Sequence, residues 1–258
     1  MGERDLIDLH SHILFDIDDG PDSLYESMRL CEMGVEYGVD RIVATSHLYN
    51  PEDIASFLRR RNDRILRIRE QIEKSQLQLR IYPGAEVFVN DDIFYAHHLE
   101  KLTINDSRYL LIEFDFRGLS GRRLVHYVDE IFRIGLVPII AHPERYTYLQ
   151  RDLGLVDYLV ERGALFQVNA DSLAGRTGYE EFDLAYRMVR HNAASFIATD
   201  AHSHLGRKND MLRMIQDFPP DIRRESLDYM LYEAPFCALA NKEMPLIRRT
   251  PVRRHRYE

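Results

Sequence analysis

Along almost the whole chain, short apolar runs rich in β-branched and aromatic residues alternate with longer stretches of helical spacing, and this alternation restricts the fold more than any other feature. The runs read as seven strands: Leu6–His12, Arg41–His47, Arg80–Val87, Tyr109–Asp115, Leu136–His142, Ala164–Asn169 and Ser195–Asp200. Strands separated by helices are the mark of β-α units around a parallel sheet. Such units either close into a barrel or lie open as a doubly wound sheet. No Gly-rich phosphate fingerprint follows the first strand, which weakens the dinucleotide-binding open form and favours a barrel of seven strands. Ser23 followed by Glu26 reads as a capping box, with Leu24, Met28, Cys31 and Val35 facing inward. A second helix runs through Leu124, Val128, Ile131 and Phe132 and stops at Gly135.

A chain of 258 residues, 45% of them hydrophobic, can bury one large core, so one domain over 1–258 is expected. The segment from about Arg248 to Tyr257 is basic and aperiodic and reads as a flexible tail. A formal charge of −8 argues against binding nucleic acid through a dominant basic face. The apolar stretch Leu136–Ala141 is too short to cross a bilayer, and Met1–Asp5 has no export-signal character, so no membrane insertion is expected. Cys31 and Cys237 read as core thiols in a reducing cytoplasm.

The chemistry gathers at the ends of the strands. His10 and His12 lie two apart on the first one, where the period of two points both imidazoles the same way. His47, Glu86, Glu113, His142, Asp200 and His202 close five later strands. Taken one at a time, each carboxylate could pair with an arginine, and each histidine could be a hydrogen-bonded core residue. Together they favour a metal centre, because strand C-termini build the sites of parallel barrels and several carboxylates buried together are costly without cations between them. Imidazole and carboxylate without thiolate suit Mn, Fe, Co or Zn in an open geometry rather than structural zinc.

Asp8-x-His10-x-His12 with Asp18-Asp19-Gly20-Pro21, His142-Pro143-Glu144-Arg145-Tyr146, and Asp200-Ala201-His202 with Gly206-Arg207 resemble the PHP (polymerase and histidinol phosphatase) superfamily. Within it, the chain is similar to the bacterial capsule-type manganese-dependent protein-tyrosine phosphatases. The resemblance covers nearly the whole chain and implies a distorted (β/α)7, TIM-barrel-like fold. It further implies three Mn²⁺ ions: one on His10, His12, Glu86 and Asp200, a second on Glu86, Glu113 and His142, a third on Asp19, His47 and His202. Asp19 is matched in preference to the adjacent Asp18. Arg145 and Arg207 match the family's phosphate-binding arginines, and a metal-bound hydroxide attacks phosphorus while His202 or water protonates the leaving group. The implied substrate is a phosphotyrosine protein, a tyrosine autokinase of capsule or exopolysaccharide synthesis. Two departures stand out: Ser46 where the family has proline, and Asn209-Asp210 after Arg207 in place of a Pro-containing stretch.

A thiolate mechanism is excluded, since the residue six beyond Cys31 is Tyr37 and that beyond Cys237 is Glu243, where an arginine is required. A small-molecule phosphatase of histidinol-phosphate type is the enzymatic alternative. A binding module that has lost turnover would lack several of these ligands, and a nuclease sits poorly with the acidic balance. The arginines of Arg59–Arg69 read as a solvated helix face, and His97, His98, His126 and His191 as surface or packing residues. Nothing in the sequence fixes the oligomeric state.

Overall fold

Strands covered on both faces are largely apolar, and Leu6–Ser11, Tyr109–Glu113 and Leu165–Asn169 are buried at every position, their few polar side chains included. The computed structural model describes residues 6–252. Its strands are β1 (Leu6–Ser11), β2 (Val39–Ala44), β3 (His47–Leu48), β4 (Arg80–Pro83), β5 (Glu86–Phe88), β6 (Tyr109–Glu113), β7 (Val137–Ala141), β8 (Leu165–Asn169) and β9 (Phe196–Ala198). They form two parallel sheets, ordered β1-β2-β4 and β3-β5-β6-β7-β8-β9. The far edges approach each other just beyond β1 and β9. There the Asp200 amide donates to the His10 carbonyl and the His12 amide to the Ala201 carbonyl, both at 2.8 Å.

Two expected strands are each split in two, and the splits lie side by side. Arg41–His47 divides into β2 and β3, and Arg80–Val87 into β4 and β5. Pro83 ends β4 without an amide to donate, and Gly84 lets the chains close up: a Cβ there would stand 2.8 Å from Val43 Cγ1. The Glu86 amide is then shared between the carbonyls of Thr45 (3.1 Å) and Ser46 (3.2 Å). Thr45 also takes the Ser11 amide on its hydroxyl at 2.9 Å, fastening the kink to β1. The consequence is that His47 and Glu86 restart as neighbours in register, both turned toward the middle.

Helices α1 (Leu24–Glu36), α2 (Ile54–Ser75) and α3 (Gly121–Arg133) cover the sheets. The Ser23 hydroxyl caps α1 by accepting from the Glu26 amide, while the Glu26 carboxylate reaches past Ser23 to the Asp22 amide, one residue earlier than a capping box requires. Ser27, Leu30, Cys31 and Gly34 are the buried positions of α1, with Leu24, Met28 and Val35 half-buried at the flanks of that stripe. The arginine run of α2 is exposed at Arg59, Arg60, Arg67 and Arg69, as expected of a solvated face, and departs from it at Arg61 and Arg64. Arg61 is buried and donates to the carbonyls of Gly84 (3.1 Å) and Lys101 (3.0 Å), Arg69 donates to the Ile81 carbonyl, and Arg64 pairs with Asp16 and Asp63 and lies 4.7 Å over the Phe15 ring. Arg61 and Arg69 fasten α2 to β4 and to Gly84 in the break after it, because carbonyls left without strand partners need donors, and Arg64 ties α2 to the loop after β1.

The basic segment expected to be loose from about 248 is held as far as Val252. Arg248 accepts through its carbonyl from Asn192, Thr250 pairs twice with His191, the Val252 amide donates to Asp157 at 2.7 Å, and the Val252 side chain is buried. Three anchored residues offset the ordering entropy that composition alone cannot weigh. Arg253 to Tyr257 lie outside the described residues. No helix of the described residues is long and apolar enough to cross a membrane.

Candidate metal centre

β1 aims His10 and His12 into one space, and their outer nitrogens fix which atom faces it. His10 Nδ1 lies 2.6 Å from Gln167 Oε1, an oxygen that also faces the His142 amide, so the nitrogen donates. His12 Nδ1 lies 2.8 Å from Asp18 Oδ2 and donates likewise. With each ring neutral, as a metal ligand must be, both Nε2 atoms present lone pairs. They stand 3.1 Å apart, each 3.2 Å from Glu86 Oε2, and 3.4 and 3.5 Å from Asp200 Oδ1. In that state four electron-rich atoms face one point, and their repulsion is relieved by a cation or by the protons that Glu86, Asp200 and Asp18 favour on His10 and His12.

The other strand ends extend this centre. Glu113, at the end of β6, presents Oε1 3.5 Å from His142 Nε2 and Oε2 3.6 Å from His47 Nδ1. His142 Nε2 is also 2.9 Å from Glu86 Oε1. His142 and Asp200, just beyond β7 and β9, have φ of +30° and +51°. Left-handed backbone at non-glycine residues costs about 1–3 kcal/mol each, and such strain concentrates where side chains are held for function. Asp19, Oδ1 3.2 Å from His202 Nε2 and 3.7 Å from His47 Nε2, closes the outer end.

Three sets offer one donor atom per residue within 4.8 Å of one another: His12, Asp19, His47 and His202; His10, His12 and Glu86; His47, Glu86 and Glu113. Seven of the nine expected ligands fall in these sets, with His47 rather than His142 joining Glu86 and Glu113; His142 and Asp200 stand beside them, 2.9 Å from Glu86 and 3.4 Å from His10. Of the two adjacent carboxylates, Asp19 is among the donors. Asp18 is buried behind them and holds the His12 ring and the His47 amide, each at 2.8 Å.

The electrostatics call for positive charge. Burial and the neighbouring Glu86 push the Glu113 carboxyl up to about 8. Burial acts on Glu86 in the same direction, but His10, His12 and His142 outweigh it and hold that carboxyl well below its usual range. Burial would lower His12; Asp18 and Glu86 reverse this and raise it well above an ordinary imidazole. Glu86 Oε2, His47 Nδ1 and His202 Nε2 lack hydrogen-bond geometry although each faces a partner within 3.1–3.2 Å. Atoms that close without directed bonds suit divalent ions, and the donor set, with no thiolate, fits the first-row metals expected from the sequence.

Two arginines border the centre. Arg207 bonds Asp200 Oδ2 at 2.9 Å and reaches within 3.6 Å of Asp19, while its carbonyl accepts from the amides of His202 and Ser203, so its loop is closed against the centre. Arg145 Nη1 lies 3.7 Å from the same Asp200 oxygen, its guanidinium 4.5 Å over the Phe116 ring. Behind the ligands stand uncharged residues that hold them or their neighbours: Gln167 on His10, Asn169 donating to Asp200 at 2.9 Å, and Thr199 donating to the buried Asp8. Gln167-x-Asn169 carries the same two-residue signal as His10-x-His12. Its uncharged side chains did not mark it as chemistry.

The profile of the family described as capsular polysaccharide synthesis, CpsB/CapC, matches residues 6–239. The chain is 34% identical over 217 residues to the putative tyrosine-protein phosphatase CapC of Staphylococcus aureus, covering 82% of this chain and 83% of that one. It is 30% identical over 262 residues to the tyrosine-protein phosphatase YwqE of Bacillus subtilis, covering 97% and 98%. A crystal structure described as YwqE from Bacillus subtilis and CpsB from Streptococcus pneumoniae, unique metal-dependent tyrosine phosphatases, superposes with a TM-score of 0.82 at 28% identity, covering 96% of this chain and 100% of that one.

Proposed function

The chain belongs to the CpsB/CapC family of capsular polysaccharide synthesis, and we propose that it is a metal-dependent protein-tyrosine phosphatase. The observation that carries this reading is the convergence of imidazole nitrogens, their rings oriented by Gln167 and Asp18, and carboxylate oxygens beside two arginines. We assign three Mn²⁺ sites: His10, His12, Glu86 and Asp200; Glu86, Glu113 and His142; Asp19, His47 and His202. Ions held there neutralise a phosphate dianion and lower the pKa of water enough to make it a nucleophile at neutral pH.

The chain's own groups do the rest. Arg145 and Arg207, both anchored on Asp200 Oδ2, offer planar forks to phosphoryl oxygens, and the Phe116 face supports the first. Asp18 and Gln167 keep His12 and His10 in the tautomers that aim Nε2 inward. His202 acts as a ligand rather than an acid: burial lowers its pKa, and Nδ1 is spent on the Asp200 carbonyl at 2.8 Å, leaving Nε2 without a proton to give. A phenolate, with a pKa of roughly 10, leaves with little help, so a tyrosine phosphate tolerates that lack of an acid better than an alkyl phosphate does.

We read the two sheets as one distorted seven-unit barrel of PHP type, supported by the side-by-side breaks and by the bonds between the ends of β1 and β9. The implied partner is a phosphotyrosine protein, a tyrosine autokinase of exopolysaccharide synthesis, met in the cytoplasm, where the free thiols Cys31 and Cys237 are at home. The histidinol-phosphate alternative gains nothing from relatives that carry tyrosine-phosphatase names over most of the chain. Parallel assays of phosphate release from a phosphotyrosine peptide and from histidinol phosphate, with Mn²⁺ present, test the reading. It requires kcat/KM on the peptide to exceed that on histidinol phosphate by at least tenfold; the reverse order would replace it.

A further inference from the structure

Two aromatic rings stand against the two histidines that face the Glu113 carboxylate; Phe116 packs partly on the core, whereas Tyr49 lies outside it. On one side, His47 faces Glu113 Oε2, and Tyr49 is stacked on the His47 ring with centroids 4.7 Å apart and planes 26° from parallel. Phe88, half-buried at the end of β5, braces Tyr49 at 6.1 Å. On the other side, His142 faces Glu113 Oε1, and the half-buried Phe116 packs 5.6 Å from the His142 ring beneath the Arg145 guanidinium. Tyr49 remains 56% exposed, so a large aromatic group is held at the mouth of a charged centre with much of its surface in water. An aromatic ring packed for stability would be turned inward, since its worth lies in area removed from water.

Resting on the phosphatase reading, we propose that Tyr49 and Phe116 form the subsite for the phenyl ring of phosphotyrosine, with Tyr49 as the residue that favours an aryl over an alkyl phosphate. The phosphoryl group occupies the ion-and-arginine end. The ring that carries it then extends outward past His47 and His142, where the two aromatic faces receive it. A serine phosphate places only a methylene there and leaves both faces wet.

The test compares wild type with Tyr49→Ala, Tyr49→Phe and Tyr25→Ala, the last an exposed tyrosine on α1 that serves as control. Substrates are a phosphotyrosine peptide and its phosphoserine counterpart, with Mn²⁺ present. Loss of one aromatic contact predicts a rise of about 3- to 10-fold in KM for the phosphotyrosine peptide in Tyr49→Ala, with kcat changed less than twofold. The preference for aryl over alkyl ester falls by the same factor, and Tyr49→Phe and Tyr25→Ala retain wild-type selectivity. Equal losses on both substrates would mean that Tyr49 acts only by supporting His47, and would overturn the proposal, as would unchanged KM. If wild type releases no phosphate from either peptide, the phosphatase reading fails by itself. Calorimetric titration with a peptide bearing phosphonomethylphenylalanine then decides the subsite: weaker binding to Tyr49→Ala supports it, and equal binding rejects it.

Discussion

Replacing Asp18 by asparagine separates a residue that orients ligands from one that is a ligand. The carboxylate accepts three hydrogen bonds, from His12 Nδ1 and the His47 amide on Oδ2 (both 2.8 Å) and from the Gly20 amide on Oδ1 (3.1 Å). These bonds outweigh burial and hold the carboxyl far below its ordinary range. Asparagine has one acceptor oxygen. Set toward His12 and His47, it turns its NH₂ against the Gly20 amide and leaves that donor unpaired, at about 1–3 kcal/mol, while the His12 bond loses its charge and about 1 kcal/mol more. Part of this weakens the fold, and part weakens the hold on metal, because His12 becomes a poorer base in a looser orientation. Changes in residues that orient ligands typically cost 10- to 100-fold in metal affinity. Asp18→Asn is therefore expected to raise the half-saturating Mn²⁺ concentration for phosphotyrosine-peptide hydrolysis by that factor. At saturating Mn²⁺, kcat falls less than threefold and the metal stoichiometry is unchanged. Activation curves over a Mn²⁺ series, with circular dichroism to confirm folding, measure it. Half-saturation within twofold of wild type would refute the orienting role, and loss of one bound ion at saturation would make Asp18 a ligand.

Arg207→Ala should lower kcat/KM by about 10²–10³, and Arg207→Lys should recover only a small part, because an ammonium cannot reproduce a fork bonded to Asp200 and still directed at phosphate; steady-state kinetics decides. Burial pushes the Cys31 thiol up to about 12, and burial raises Cys237 as well, so at pH 8 roughly one Cys31 side chain in 10⁴ is thiolate. Iodoacetamide should leave turnover intact and Cys237→Ser should be as active as wild type; inactivation would revive a thiolate mechanism. Gly38 has φ of +84°, and a Cβ there would meet Leu212 Cδ1 at 2.6 Å, so Gly38→Ala should destabilise the fold by about 2–4 kcal/mol in urea unfolding while leaving kcat unchanged.

Much of the centre was legible because ligands are conspicuous where they stand. An ionisable group closing an apolar strand breaks the pattern that makes the strand recognisable, and His10, His12, Glu86, Glu113 and Asp200 were all found that way. The breaks between β2 and β3 and between β4 and β5 were not legible. Only their adjacency in space, with one amide shared by two carbonyls, bends both strands together. The left-handed backbone of His142 and Asp200 leaves only a faint trace in residue type, since aspartate and histidine adopt it more often than most residues but far less readily than glycine. Arg61 looked like its neighbours in a basic run, and only the carbonyls of Gly84 and Lys101 distinguish it. Tyr49 and Phe116 are two of many aromatic residues until His47 and His142 are seen beneath them.

The most direct test of the account removes the ions and restores them. Purified protein is stripped with chelator and assayed on a phosphotyrosine peptide before and after Mn²⁺ is returned, alongside His142→Ala and Arg145→Ala. The account predicts no turnover without metal, recovery on adding Mn²⁺, and losses of at least a hundredfold in kcat/KM in both variants. Full activity in the stripped protein, or wild-type rates in His142→Ala, would contradict it.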